Sequence, residues 1–150
     1  MNALLAGPSS VFVTLRVAGQ LCGMPVTCVR DVLGAQPITP VPLASAEIVG
    51  ILNLRGRIVT AIDLRRRLRL PDEPTRQWMA VVIEQKANLY ALLVDQVHEV
   101  LTLDARQVEP TPATLPSAWS RLSQGVCRLE DSLMVMLDVD RLLAIAPENV

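Results

Sequence analysis

Aromatic side chains are nearly missing from this sequence: two Trp, one Tyr and one Phe among 150 residues. The core must therefore be built from Val, Leu, Ile, Ala and Met, an aliphatic set that suits small barrels or sandwiches. Histidine is reduced to His98, and no G-x-S-x-G, P-loop, G-x-G-x-x-G or H-E-x-x-H pattern occurs. A lone His with no nucleophile beside it reads as a partly exposed strand residue, not a general base. Cysteine is scarce and odd in number. Cys22, Cys28 and Cys127 form no C-x-x-C, so they are expected to be buried apolar thiols of a reducing compartment, with no disulfide framework and no metal site. The net charge of −1 exerts no general pull toward nucleic acid or anionic membrane. No apolar run reaches the ~18 residues of a membrane span. Met1–Ser10 holds neither Lys nor Arg and has no signal-peptide core, so the cytoplasm is the expected compartment.

What the chain does have is aliphatic material, 51% hydrophobic residues, in short blocks punctuated by turn residues. That is the rhythm of strands. Val11–Val17 comes first, then a Gly19-Gln20 turn and the valine-rich stretch Leu21–Leu33. Pro37, Pro40 and Pro42 mark an extended loop that cannot be helical. Ile48–Leu54 and Arg57–Leu64 flank Arg55-Gly56, a hairpin turn in which Gly supplies positive φ. Asp63–Leu70 is expected to close this half as a short helical turn. Pro71–Gln77 is the most polar break and a natural boundary. Beyond it the order of events recurs: a strand at Met79–Glu84, a turn at Ala87-Asn88, a long run over Leu89–Leu103 and a proline loop at Thr111–Pro116. Gly125–Leu129 and Leu133–Val139 flank the turn 130–132, and Asp140–Ile145 forms a last helical turn.

A constant offset carries Leu21, Val26, Val29, Val32 and Leu33 onto Leu89, Val94, Val97, Val100 and Leu101, with Asp31 meeting Glu99. A slightly longer offset carries Gly50, Leu54, Asp63, Arg66 and Leu68 onto Gly125, Leu129, Asp138, Arg141 and Leu143. The increase reflects the longer proline loop of the second copy. The expected architecture is all-β with short helical turns: two small barrels related by internal duplication, over 11–70 and 78–146, with strand exchange between the halves left open. Neither half buries enough surface to be very stable alone.

Charged features read as structural. Asp72/Glu73 and Glu130/Asp131 lie in turns, where solvated carboxylates are ordinary. Asp63 and Asp138 precede the helical turns, where an acidic N-cap belongs. The run Arg65-Arg66-Arg67-Leu68-Arg69 lacks interleaved aromatics, so a solvated helical face is expected over a nucleic-acid contact. No catalytic residue and no cofactor site is indicated.

The segment Ile48–Leu64, with its Gly50-Ile-Leu-Asn-Leu-Arg-Gly56 core, resembles the hallmark of the CheW family, the coupling proteins of bacterial chemosensory arrays. Gly23 with Val26, Val29, Asp31 and Val32, the loop Ile38–Pro42, Leu92–Leu101 and Leu137–Leu143 resemble other family stretches. The likeness runs from about Val11 to Ile145. It implies an SH3-like, five-stranded barrel fold for each half and a non-enzymatic adaptor. The partners implied are the regulatory domain of a CheA-type histidine kinase and the cytoplasmic tip of methyl-accepting chemoreceptors, in rings beneath the inner membrane without direct membrane contact. Carried over by position, Val29, Asn53, Arg55, Gly56, Val97 and Val100 would contact the receptor, and Val26, Asp31 and Leu33 the kinase. Core burial remains an alternative for Val29 and Val100. Cys22 stands where the family usually has an aromatic, Thr60 where Pro is frequent, and Ala91 where Gly is common. These departures point to a variant, non-flagellar pathway such as pilus motility or surface sensing. Three other readings stay open: a regulatory module related to the kinase or to coupling-receiver proteins, a self-assembling structural protein, and an enzyme with an unfamiliar site.

Overall fold

The computed structural model describes residues 9–71 and 77–144. The Asp72/Glu73 pair, most of the polar break, the residues before Ser9 and Ile145 lie outside them. Among the described residues, eleven strands form two sheets. They are β1 (Ser9–Val17), β2 (Gln20–Pro25), β3 (Val29–Leu33), β4 (Ile48–Leu54), β5 (Arg57–Asp63), β6 (Met79–Gln85), β7 (Asn88–Val94), β8 (Gln96–Asp104), β9 (Val108–Glu109), β10 (Ser123–Arg128) and β11 (Leu133–Leu137). Three single-turn helices accompany them: α1 (Leu64–Arg67), α2 (Ser117–Ser120) and α3 (Val139–Leu142). The protein is mostly β, as its residue pattern requires. The two long apolar runs are each interrupted. A 3-10 turn at Val26–Cys28 separates β2 from β3, and Asp95 separates β7 from β8.

Tight turns set the local pairing. β1–β2, β4–β5 and β6–β7 are hairpins with two-residue loops, as the registers Val17↔Gln20, Leu54↔Arg57 and Gln85↔Asn88 require. Both loop residues have positive φ in each case, which matches the twist of antiparallel strands. The third loop is Lys86-Ala87, one residue earlier than the expected Ala87-Asn88 turn, and it contains no glycine.

The six-stranded sheet runs β8-β1-β2-β11-β10-β9 and the five-stranded sheet β3-β6-β7-β5-β4. Each draws strands from both sides of the polar break. Two antiparallel pairs, β1 with β8 and β3 with β6, and two parallel ones, β2 with β11 and β5 with β7, make these joins. Where the sheets face each other lies the largest core, including Leu15, Val17 and Met24 from one and Ile62, Ile83 and Leu92 from the other. Smaller cores back each sheet: Leu52, Val59, Ala80, Val82 and Leu93 behind the five-stranded one, and Phe12, Met134 and Met136 behind the six-stranded one. Strands β6 and β7 are thus buried on both faces, which is why they read as continuous apolar runs without alternation. Each fully buried Leu, Ile or Met here contributes about 1.5–3 kcal/mol.

The duplication is visible in backbone detail. Asp63 and Asp138 are N-caps with nearly the same φ and ψ, each accepting a helical N–H, from Arg65 and Arg141. Gly50 (φ +157°) and Gly125 (φ +149°) both follow a register shift at the start of their hairpin. A Cβ on Gly50 would lie 2.2 Å from the Thr39 carbonyl oxygen, and one on Gly125 2.9 Å from that of Glu109. Both clashes are with backbone that pairs beside the bulge. Gly50→Ala is therefore expected to cost about 3 kcal/mol or more, and Gly125→Ala about half as much. Urea midpoints at unchanged m-value would measure the order, and equal midpoints would contradict it.

The arginine run is not one solvated face. Arg66 and Arg69 are exposed, but Arg65 is only 8% exposed. Its Nε and Nη2 donate to the two carboxylate oxygens of Asp95, at 3.0 and 2.8 Å. Arg67 is half-buried and donates to the carbonyls of Arg141 and Leu142 at the end of α3. A charge run one helical turn long has too few residues for a face of its own. Its members point wherever the neighbouring strands leave an acceptor.

The three cysteines are unpaired thiols. Cys22 and Cys127 are buried and Cys28 half-buried, and burial raises the pKa of all three. None is poised as a thiolate.

Candidate interaction surface

The Asn-Leu-Arg-Gly segment builds the tip of the β4–β5 hairpin. Asn53 Oδ1 accepts the Gly56 N–H at 2.9 Å, closing the loop over the left-handed Arg55 (φ +53°) and Gly56 (φ +86°). The Asn is therefore a turn-former, and it fixes the base from which Arg55 projects. The Arg55 side chain is 75% exposed and bends back so that Nη2 lies 3.1 Å from Asp31 Oδ2 on β3. Asp31 also caps its own strand, accepting the Val32 N–H at 2.9 Å. Two residues expected to serve different partners are thus joined to each other across the five-stranded sheet.

The valines divide by exposure. Val26, Val29 and Val97 are half-buried and pack on the central core between the sheets. Val100 stands 53% exposed on β8, paired with Val13. Leu33 packs on the core behind the five-stranded sheet instead. β3 ends one sheet and β8 ends the other. β8 also touches β6, the strand to which β3 is paired. Edge strand β8 thus approaches β6, the neighbour of edge strand β3; Val29 and Val97 pack inward while Val32 and Val100 are open to solvent.

Ile58, 62% exposed and paired with Asn53, completes the apolar rim of the hairpin tip. The residue pattern did not single it out. A β-branched residue next to a polar turn, one place out of phase with buried Val59, was the available signal. Arg30 and Glu84 form a further ion pair at 2.6 Å across β3 and β6, and that guanidinium holds the Glu84 carboxyl below its ordinary pKa. His98 is exposed on β8 beside exposed Glu99. What the arrangement offers is exposed aliphatic side chains beside exposed guanidiniums, with Arg55 projecting at the hairpin tip. Such a surface suits a helix laid into a shallow groove better than it suits bond-making chemistry.

Comparison with known proteins bears on this geometry. Residues 11–146 match the model of the CheW-like domain family. The chain is 31% identical to "Chemotaxis protein CheW" of Rhizobium meliloti (strain 1021), over 85% of this chain and 83% of that protein. It is 26% identical to "Probable chemotaxis protein CheW" of Rhizobium etli, over 88% and 86%. The crystal structure of scaffolding protein TtCheW from Thermoanaerobacter tengcongensis superposes with a TM-score of 0.83 at 25% identity, covering 94% of this chain and 97% of that one. The chain belongs to the CheW-like domain family, and its fold is the mostly β, SH3-like architecture of that neighbour.

Proposed function

We propose that this member of the CheW-like family is a non-catalytic adaptor of chemosensory signalling, joining chemoreceptors to a CheA-type histidine kinase. The observation that carries the reading is the hairpin tip. Arg55 is held out on a two-residue loop, contributes nothing to a core and stands among exposed aliphatic side chains. The family match and the names of the relatives support the same role.

The receptor-facing set is Val29, Asn53, Arg55, Gly56, Val97 and Val100. The kinase-facing set is Val26, Asp31 and Leu33. Within the first set, Arg55 and Val100 make contact, Asn53 and Gly56 shape the turn, and Val29 and Val97 form the floor. The adaptor works in the cytoplasm, at receptor arrays beneath the inner membrane, in rings with the kinase regulatory domain. None of the helices among the described residues is long and apolar enough to cross a membrane. The pathway served is a non-flagellar one, on the departures at Cys22, Thr60 and Ala91.

Reconstitution tests the role. The chain, a receptor cytoplasmic fragment and a CheA-type kinase should co-sediment as a ternary assembly, with the chain required for kinase recovery. Kinase recovered equally with and without the chain would sink the adaptor reading.

A further inference from the structure

A sizeable cavity lies away from the hairpin tip, in the second copy of the repeat. Its volume is about 460 Å³, within the range of small-molecule sites, and it opens to solvent. The loop after β9 supplies Thr111, Pro112 and Leu115, α2 supplies Ser120, β10 supplies Ser123 and Gln124, and α3 supplies Arg141. No carboxylate is among its lining residues.

The lining is polar in a way the fold does not require. In the register that matches Gly125 with Gly50, Ser123 and Gln124 correspond to Ile48 and Val49. The first copy builds the same bulge with aliphatic residues. In the second, Ser123 is buried and its hydroxyl is kept satisfied by Gly125 and Thr111, which lies 2.8 Å away. A hydrogen-bonded hydroxyl pair thus stands where the first copy has an Ile, so polarity at this bulge is particular to the second copy.

Donors remain free within this lining. Arg141 Nη1 donates to the Ser123 carbonyl at 3.3 Å and Nε approaches Asp138 at 3.5 Å, while Nη2 has no acceptor among the described residues. Gln124 Nε2 uses one proton on the Leu137 carbonyl and keeps the other. Exposed Arg121 follows α2 directly and adds positive charge nearby.

We propose that this cavity is a binding site for a small anion carrying a carboxylate or phosphate group, with Arg141 and Gln124 as its donors. A guanidinium beside an amide and hydroxyls recognises that charge, and Asp138, paired with the Nε side of Arg141, leaves Nη2 for the anion. Neither receptor nor kinase is needed for binding.

Titration of the full chain with succinate and, separately, with inorganic phosphate tests this, followed by two-dimensional NMR. Saturable shifts of the Thr111, Ala113, Leu115 and Gln124 amides are expected, with millimolar or tighter affinity for at least one probe. The tighter probe identifies the headgroup. Arg141→Gln should weaken binding about tenfold or more, and Gln124→Val, which restores the residue of the first copy, roughly threefold. Arg128→Gln, whose parent side chain pairs with Glu109, should leave affinity unchanged. The site is refuted if neither probe saturates, if Gln124→Val binds as the parent does, or if Arg128→Gln weakens binding as much as Arg141→Gln.

Discussion

Replacing Arg65 by Met should lower the melting temperature by roughly 10 °C, the largest loss expected from removing any single charge in this chain. Arg65 follows β5 of the five-stranded sheet, and its guanidinium is fork-paired with Asp95. Asp95 sits where the chain leaves β7 for β8, crossing between sheets, and its carboxylate also accepts the Ala18 N–H at 2.8 Å in the β1–β2 turn. One ion pair therefore ties a helix of one sheet to a turn of the other. Both side chains are largely buried. Removing one partner of such a pair costs about 3–5 kcal/mol, mostly because the remaining charge is left buried and uncompensated. That diagnosis has its own check. The double variant Arg65→Met with Asp95→Asn should recover a substantial part of the loss, since the amide keeps an acceptor for Ala18 without the stranded charge. A single variant that melts within a degree or two of the parent would mean that the pair contributes little.

Arg55→Glu should have the opposite profile, intact folding with lost binding. An exposed ion pair contributes only about 0–1 kcal/mol to stability, so even reversing one charge beside Asp31 should move the melting temperature by only a few degrees. Association with the receptor fragment should fall at least thirtyfold, about 2 kcal/mol, if Arg55 is a central contact of the adaptor surface. Arg55→Asn, which tolerates the left-handed backbone, should lose the contact without adding repulsion and fall between the two. The assignment fails if the Glu variant folds normally and co-pellets with receptor as the parent does. Kinase binding measured on the same variants separates a local contact from a general loss of assembly.

Those two arginines show what residue patterns can and cannot reveal. Arg55 was readable because an Arg-Gly pair between two aliphatic strands defines a hairpin tip, and a tip has no core to serve. Arg65 was not, because a run of four arginines in five residues resembles a solvated face. Its acceptor, Asp95, lies far along the chain and is placed only by the fold. The strands themselves were legible from aliphatic blocks and turn residues, and the N-caps Asp63 and Asp138 from their position before each helical turn. Which strands pair was another matter. Alternation says which side chains share a face, but β2 beside β11 and β5 beside β7 are choices made by the tertiary core. The Asp31–Arg55 contact and the exposure of Val100 depend on those choices, so the surface could be named residue by residue yet not assembled. The short β9 and α2 carried too few residues for any period to register.

The exchange of strands has a kinetic consequence. β2 is complete by Pro25, but its parallel neighbour β11 begins at Leu133. As the chain leaves the ribosome, the six-stranded sheet cannot close until β11 has been synthesised. Its first two strands wait as an isolated hairpin, a structure of marginal stability, until β8 is made. Pairings this distant in the chain slow folding and leave aliphatic surface exposed meanwhile. The protein is thus expected to fold after synthesis, in one cooperative step, with its nascent form the state most in need of a chaperone.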